Sequence, residues 1–338
     1  MFLDYMVDDD FAFYTLYKEA LLIKAELKTG KIIECKSLND SKCNGLYNCA
    51  INCNDKIVFI PSHANNFLIV SKKDCCIKKI PIPNIEITMA NYSYFGNGTY
   101  CFNNVYAFGV NYPGIVKIDL IQEKAELLVD LREFGCDGLV VENCVIEKDI
   151  YIPFANKNKL VKFNIEGGVV NIICTLDECS CGYKTISFDG DNFWIISGNN
   201  LVFRCDKNFE CIIYMDNLKE LIKGKDAFRS VFCSGYLYVF FLDSNKILKY
   251  SVLDQNDYLW ISAPNSLNDL RSVYYVTVKD NCPCFYSEST NSYYRIIDDT
   301  ILSYDIVNGE EYIKHSINLC GVIEEASNVS IKDFLKCI

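Results

Sequence analysis

A short phrase with one apolar pattern returns seven times along this chain, and no other feature limits the possible folds as strongly. The copies are ALLIKAEL (20–27), FLIVSKK (67–73), GIVKIDL (114–120), KLVKFNI (159–165), NLVFRCD (200–206), KILKYSV (246–252) and TILSYDI (300–306). Measured at Lys24, Val70, Lys117, Lys162, Phe203, Lys249 and Ser303, the intervals are 46, 47, 45, 41, 46 and 54 residues. Repetition at about 40 to 50 residues, in units made of strands, predicts a β-propeller.

Each repeat unit contains four short segments in which apolar and polar residues alternate. Between residues 144 and 176 the order is CVIEKD, IYIPFA, KLVKFNI and VVNIICTL. Turn-forming residues separate the later segments, at 156–158 and 166–168. One four-stranded unit cannot bury its apolar faces alone, whereas a ring of seven units packed face to face can. The sequence therefore predicts an all-β, seven-bladed propeller of four-stranded antiparallel blades.

The 338 residues divide into seven units without a linker, so we expect a single domain. The predicted blades cover about residues 1–38, 45–83, 97–131, 142–176, 184–215, 229–262 and 271–319. The last interval is the longest, with apparent extra sequence at 287–299. Residues 320–338 form a closing segment, predicted as a short helix after Ser330 or alternatively as a final strand. Ring closure by packing alone is favoured over a blade shared between the two chain ends.

Charge and hydropathy limit the partners and the compartment. The chain carries 33 Lys and Arg against 44 Asp and Glu, a formal charge of −11, which disfavours binding to nucleic acid. No apolar run approaches the length of a membrane span, so no membrane partner is expected. The residues after Met1 lack a basic and apolar leader, and Asp8, Asp9 and Asp10 follow directly. These features predict a cytoplasmic protein.

Cysteine is unusually frequent, with 19 residues spread over all the predicted blades. An odd number within strands is not the pattern of a disulfide framework, so we expect free thiols in the core and no disulfide-linked partner. The close pairs Cys75-Cys76, Cys179-x-Cys181 and Cys282-x-Cys284 are the only hints of a metal site. The two Cys-x-Cys pairs lie in blades that are not neighbours, so no metal is predicted.

No catalytic motif is present, and no catalytic residue or cofactor is predicted. The chain has two histidines: His63, in a turn of blade two, and His315, on the expected outer strand of blade seven. The sequence contains no G-x-S-x-G, H-E-x-x-H, P-loop or G-x-G-x-x-G motif. The sequence does not decide whether the protein is an enzyme, but the lack of catalytic motifs favours a protein without enzymatic activity.

A basic residue followed by a hydroxyl residue begins the predicted inner strand of three successive blades. These pairs are Lys184-Thr185, Arg229-Ser230 and Arg271-Ser272. Because inner strands line the channel of a propeller, the three cations would meet at the channel mouth, where a carboxylate or phosphate would bind. The alternative is that each cation pairs with a nearby carboxylate, such as Asp226 or Asp269, and ties blades together.

The turns between second and third strands are the other candidate ligand contacts, because they share a face with the connections between blades. The candidates in these turns are His63, Asn65, Asn111, Tyr112 and Asn156. Amides and aromatic rings on one rim suit sugars or peptides. Asn is also an ordinary turn residue, because it tolerates positive φ.

The repeated phrases, with IVFIP (57–61) and IYIP (150–153) leading into the turns, resemble the WD40 and quinoprotein-like group of seven-bladed propellers, which includes YVTN and kelch types. The resemblance extends over nearly the whole chain, although the Gly-His and Trp-Asp pairs of WD40 repeats and the Gly-Gly of kelch repeats are missing. Only Trp194 and Trp260 occur, so there is no set of tryptophans to stack on a cofactor. The resemblance implies a ring scaffold and transfers no catalytic residue.

Two hypotheses of different classes follow. The favoured one is a non-enzymatic recognition or scaffold propeller that binds a protein or peptide partner through the inter-blade loop face. The alternative is an enzyme or small-ligand binder that acts on an anionic or glycan ligand at the channel mouth. A deep pocket with converging Lys184, Arg229 and Arg271 would support the alternative, and a flat apolar loop face would support recognition.

Overall fold

The structure is a computed structural model that describes residues 5–8, 10–16, 20–29, 31–38, 46–84, 94–135, 140, 142–155, 157–174, 182–264, 267, 270, 273–287, 290 and 292–305. These residues form seven sheets, each of four antiparallel strands in chain order. The prediction of a seven-bladed propeller with four-stranded blades is confirmed.

The first three blades contain strands β1 to β12. Blade one consists of β1 (Tyr5–Asp8), β2 (Phe11–Leu16), β3 (Leu21–Glu26) and β4 (Ile32–Ser37). Blade two consists of β5 (Tyr47–Cys53), β6 (Lys56–Pro61), β7 (Asn66–Ser71) and β8 (Ile77–Pro81). Blade three consists of β9 (Phe95–Cys101), β10 (Asn104–Gly109), β11 (Gly114–Asp119) and β12 (Lys124–Asp130).

The other four blades contain strands β13 to β28. Blade four consists of β13 (Cys144–Ile146), β14 (Asp149–Pro153), β15 (Leu160–Asn164) and β16 (Val169–Cys174). Blade five consists of β17 (Tyr183–Phe188), β18 (Asn192–Ser197), β19 (Val202–Asp206) and β20 (Ile212–Tyr214). Blade six consists of β21 (Ala227–Cys233), β22 (Tyr236–Phe241), β23 (Lys246–Ser251) and β24 (Tyr258–Ser262). Blade seven consists of β25 (Val273–Lys279), β26 (Cys282–Ser287), β27 (Ser292–Ile297) and β28 (Thr300–Asp305).

The described connections between blades contain two short helices: a 3₁₀ helix at Leu131–Phe134 and α1 at Asp216–Leu221. Leu218 of α1 is buried between blades five and six. None of the helices in the described part of the chain has the length and apolar character that a membrane span requires.

The core lies between neighbouring blades, because the second and third strands are apolar on both faces. Phe13 and Leu22 of blade one pack against Phe59 and Leu68 of blade two, for example. Blade one packs in the same way on Tyr286 and its neighbours in blade seven. No described strand of one end of the chain joins the sheet of the other. The ring therefore closes by side-chain packing, as expected.

Six of the seven repeated phrases form third strands, but the seventh was assigned to the wrong strand. TILSYDI forms β28, the fourth strand of blade seven, and the third strand is β27, inside the supposed extra sequence at 287–299. Arg295 of β27 follows Lys249 by 46 residues, so the long last interval disappears. The two strands are joined by a two-residue turn and have similar alternation, which is why the pattern alone did not distinguish them.

Some predicted boundaries shift, and others lie outside the described residues. The inner strands of blades three, five and six begin at Phe95, Tyr183 and Ala227, slightly before the predicted limits. The fourth strand of blade seven is β28. His315 and the closing segment 320–338 lie outside the described residues.

The two faces of the ring carry connections of very different length. First and second strands are joined by two residues in every blade except blade five, which uses three. Blades are joined to one another by eight to thirteen residues, and these connections share a face with the turns between second and third strands. We call this side the loop face and the other side the tight-turn face.

Candidate functional site: a polar cavity in the central channel

A cavity of about 400 Å³ lies in the central channel. Strands β5, β9, β17, β21 and β25 line it, together with residues 142–143 just before blade four. Its polar lining comes from Asn97, Glu142, Asn143, Ser187, Arg229, Ser230 and Thr277. The cavity therefore joins side chains from most of the ring.

Glycines in β9 allow the segment that carries Glu142 to lie against this strand. A Cβ atom at Gly96 would be 2.4 Å from the carbonyl oxygen of Val140, and one at Gly98 would be 2.9 Å from that of Tyr106. The Asn143 Nδ2 atom donates to the Gly98 carbonyl at 3.4 Å. A larger side chain at Gly96 would push residues 140–143 away from the channel.

Glu142 connects three blades from within the channel. Its Oε2 atom accepts a hydrogen bond from the backbone N–H of Ile186 in β17 at 2.9 Å. The N–H of Ser230 in β21 is a second backbone donor to this carboxyl group. Loss of water contact raises the pKa of Glu142 to about 8, although Arg229 and the two N–H groups act in the opposite direction. These three interactions therefore do not offset the cost of removing an ionised carboxyl group from water.

Arg229 lines the same cavity and acts on Glu142 through the electrostatic field. Its Nη1 atom makes a long hydrogen bond of 3.4 Å to the carbonyl of Phe228. Among the described residues, no carboxylate oxygen lies within the 4.0 Å ion-pair distance of the guanidinium group. Among the described residues that line the cavity, Arg229 is the cation and Glu142 the carboxyl group, and no ion pair joins them.

Three buried hydroxyl groups form a chain beside this pair. The Ser230 hydroxyl donates to Thr185 Oγ1 at 2.8 Å and lies 2.8 Å from the Ser187 hydroxyl. All three side chains are buried. The structure therefore brings the predicted residues Thr185 and Ser230 together, but they hydrogen-bond to each other across blades five and six.

Lys184 and Arg229 do not occupy equivalent positions, so the predicted alignment of the basic residues is wrong. Both inner strands contain a β-bulge: the ladder skips Lys184 in blade five and Phe228 in blade six. Lys184 forms an ion pair with Asp226, as the alternative interpretation expected. Arg271 and Ser272 lie outside the described residues. Of the two predicted cations that the structure describes, Arg229 lines the cavity and Lys184 does not.

The predicted rim residues of blades two and three lie in turns fixed by backbone hydrogen bonds, and they are not part of the cavity lining. The backbone N–H groups of Ser62, His63 and Ala64 all donate hydrogen bonds to the Leu46 carbonyl, with N···O distances of 2.8 to 3.2 Å. His63 Nδ1 also lies 2.9 Å from the Ser62 hydroxyl. Asn65 is exposed on the loop face.

The equivalent turn of blade three repeats this arrangement. The backbone N–H groups of Val110, Asn111 and Tyr112 donate hydrogen bonds to the Tyr94 carbonyl, with N···O distances of 2.9 to 3.3 Å. Tyr112 is a core residue: its ring stacks on Phe95 at 4.7 Å and its hydroxyl donates to the Pro83 carbonyl at 3.1 Å. Its ring is therefore not available to a ligand on the rim. Asn156 lies outside the described residues.

Twelve of the cysteines in the described part of the chain lie outside any disulfide. Within this part of the chain, no group of three or more His, Cys, Asp or Glu side chains is placed to hold a metal ion. Cys282 and Cys284 lie in β26, whereas Cys179 and Cys181 lie outside the described residues.

Glu142 is the site residue that sequence reasoning missed. It lies in the apolar run GLVVENCVI, directly before an inner strand. A charged residue inside such a run is the one available signal, since buried carboxyl groups are rare without a partner or a role.

No family model and no curated protein sequence matches this chain. Solved structures do match its fold. The computationally designed protein Ika8 is similar with a TM-score of 0.61 and 7% identity, over 88% of this chain and 84% of that one. BamB from Moraxella catarrhalis is similar with a TM-score of 0.55 and 12% identity, over 85% and 80% of the two chains.

A third similar structure is PorZ, a bacterial surface component of the type-IX secretion system of Porphyromonas gingivalis. It matches with a TM-score of 0.55 and 11% identity, over 77% of this chain and 33% of that one. At such identities the similarity concerns the fold alone. The propeller architecture is consistent with a scaffold for interactions.

Proposed function

We propose that this protein is a non-enzymatic recognition propeller that binds a protein or peptide partner through its loop face. The observation that carries the proposal is the asymmetry of the ring. All the long connections between blades lie on the loop face, whereas the opposite face has mostly two-residue turns between first and second strands. Long connections on a rigid scaffold provide variable contact surface at low cost to folding.

The scaffold beneath the loop face is rigid enough to present a defined surface. The two sets of three N–H groups that converge on the Leu46 and Tyr94 carbonyls fix the turns of blades two and three. The N–H of Tyr94 also donates to the Ser62 carbonyl at 2.7 Å and connects the two blades. A preorganised surface loses less entropy when a partner binds.

A cytoplasmic location is part of this proposal. The free thiols in the described residues suit a reducing compartment, and the acidic composition suits a soluble binding protein. Fractionation of the source cells with antibodies to the protein tests this part, and recovery in an extracellular or membrane fraction would contradict it.

Site-specific photo-cross-linking tests which face binds the partner. A photoreactive amino acid is placed at Asn65 on the loop face or at Asp55 on the tight-turn face, since both residues are exposed in blade two. The partner captured by cross-linking is identified by mass spectrometry and purified, and its binding to the propeller is then measured by titration. We expect adducts from Asn65 and none from Asp55, with saturable binding of the purified partner.

Adducts from Asp55 alone would move the interface to the tight-turn face, where Phe102 and Ile121 are 56% and 79% exposed. That result would overturn the proposal, as would failure of the purified partner to bind.

A further inference from the structure

Glu142 and Arg229 both line the channel cavity, and no ion pair joins them. Glu142 receives backbone hydrogen bonds from Ile186 and Ser230, but these do not compensate for the loss of water. Arg229 has no carboxylate at ion-pair distance among the described residues and donates only weakly to the Phe228 carbonyl. Charged groups that are partly removed from water are costly unless something pairs with them.

The volume and the lining of the cavity suit a small organic molecule. A cavity of about 400 Å³ falls within the range of small-molecule sites, about 300–1,000 Å³. The aliphatic residues Val231 and Val276 line it beside the polar groups. The hydroxyl chain of Thr185, Ser187 and Ser230 is satisfied internally. Glu142 and Arg229 are the ionisable groups that the described lining offers to a ligand, beside the neutral polar groups of Asn97, Asn143 and Thr277.

A ligand with one charge would satisfy only one of these groups. A simple carboxylate would pair with Arg229 but would be repelled by Glu142 wherever Glu142 is ionised, that is, around and above its pKa of about 8. A simple ammonium ion would pair with Glu142 and would be repelled by Arg229. A molecule that carries both charges a few bonds apart satisfies both groups, and a free amino acid is the smallest common example.

We propose that the channel cavity binds a small zwitterion of the amino-acid class, with its carboxylate on Arg229, its ammonium group on Glu142 and its side chain near Val231 and Val276. This site lies inside the channel, whereas the partner of the proposed function contacts the exposed loops. The failure of either proposal therefore leaves the other intact.

Calorimetric titration of the purified protein with glycine, L-alanine and L-valine tests the proposal, at about pH 8, where Glu142 begins to be ionised. The matched probes are N-acetyl-L-valine, which lacks the ammonium group, and L-valinamide, which lacks the carboxylate. We expect at least one free amino acid to bind, and each blocked form to bind at least tenfold more weakly, because a buried charge loses its partner. Absence of binding up to about 10 mM, a very weak limit on the affinity scale, would indicate a channel filled with water and would overturn the proposal.

Two variants distinguish the roles of the charged residues. Glu142→Gln keeps the shape of the side chain and removes the charge, and Arg229→Gln removes the cation. We expect both to weaken binding of the free amino acid at least tenfold. Glu142→Gln should lose the preference for the free amino acid over N-acetyl-L-valine, and Arg229→Gln should lose the preference over L-valinamide. Unchanged affinities and preferences in either variant would overturn the assignment.

The matched control is Lys223→Gln, because Lys223 is a cation exposed on the surface. It should bind like the original protein, and thermal unfolding of all three variants identifies any that fail to fold. The pH dependence is a second measurement on the folded original protein. Binding should weaken at least tenfold from pH 8 to pH 6 as Glu142 takes up a proton, and a flat profile would contradict the ammonium contact.

Discussion

Arg204 lies directly opposite Trp194 across the second and third strands of blade five, with the guanidinium carbon 5.9 Å from the centre of the indole ring. The Trp194 Nε1 atom donates to Asp189 Oδ2 at 2.7 Å, which fixes the plane of the ring. An aromatic residue faces a cation at the same position in four other blades: Phe13 and Lys24, Tyr106 and Lys117, Tyr151 and Lys162, and Tyr238 and Lys249. The basic residue of the repeated phrase therefore belongs to the scaffold between blades.

Replacing Arg204 with Gln should lower the free energy of unfolding by about 0.5–1 kcal/mol, the usual contribution of a partly exposed cation over an aromatic ring. Urea denaturation followed by tryptophan fluorescence measures the change. Lys207 is exposed in the turn after the same strand and serves as the control. If Lys207→Gln were as destabilising as Arg204→Gln, the contact with the ring would not be the cause.

Stability should fall as the pH rises from about 5 to 8, because the folded protein holds a proton on Glu142 that the unfolded chain releases near its ordinary pKa. The raised pKa of about 8 sets the upper end of this window. The slope from this group alone is at most about 1.4 kcal/mol per pH unit.

The charged and titratable groups near Glu142 are Arg229, which lowers its pKa, and Cys144, whose own thiol pKa burial and the carboxyl group raise to about 12. The Cys144 thiol therefore keeps its proton between pH 5 and 8. The free energy of unfolding, measured by urea denaturation across this range, should therefore fall less steeply with pH in Glu142→Gln than in the original protein. The same pH dependence of stability in the two proteins would contradict the raised pKa of Glu142 in the folded state.

Gly109→Ala should destabilise the protein by about 1–3 kcal/mol, since overpacking forces the backbone to move. Gly109 ends β10, and a Cβ atom there would lie 1.5 Å from the Tyr112 carbonyl oxygen in the following turn. Gly167→Ala is the control, because the nearest atoms are flexible side-chain atoms at 3.3 Å. We expect the control to change stability by less than about 0.5 kcal/mol. Similar losses in chemical denaturation of both variants would argue against a close turn at Gly109.

Thiol reactivity should separate the described cysteines by burial. Cys76 and Cys211 are exposed, whereas Cys53, Cys205 and Cys284 are buried. Burial also raises the pKa of the Cys53 thiol to about 12 and raises that of Cys284, so little thiolate is present at neutral pH. Timed alkylation with mass spectrometry should label Cys76 and Cys211 first and the buried thiols only in denaturant. Early labelling of Cys205 in the native protein would contradict its place in the core.

The sequence was sufficient to predict the architecture, because the two-residue period of each strand and the 40- to 50-residue period of the blades are both forced by burial. Leu22 and Leu68 recur because both must fill a space between blades. These periods do not distinguish the third strand of a blade from the fourth, which explains why TILSYDI was predicted as a third strand. Closure by packing was also predictable, since each end of the chain supplies complete four-stranded units.

The site was less accessible to sequence reasoning for a geometric reason. A bulge changes which residue faces the channel, and the bulges at Lys184 and Phe228 leave no sign in the pattern of residue types. Lys184 and Arg229 therefore seemed equivalent although only Arg229 lines the cavity. Glu142 was missed because its importance depends on donors in two other blades, which are 44 and 88 residues away in sequence.

The contact between blades seven and one has a consequence for how the protein responds to damage. A linear array of repeats has two end units that need polar caps, and it tolerates the gain or loss of a repeat. In this ring every blade has two apolar neighbours, including the pair that joins Tyr14 to Tyr286. Deletion of a single blade would expose two buried faces at once. The number of blades is therefore fixed by closure, and variation among related chains should fall in the connections and spare the count of sheets.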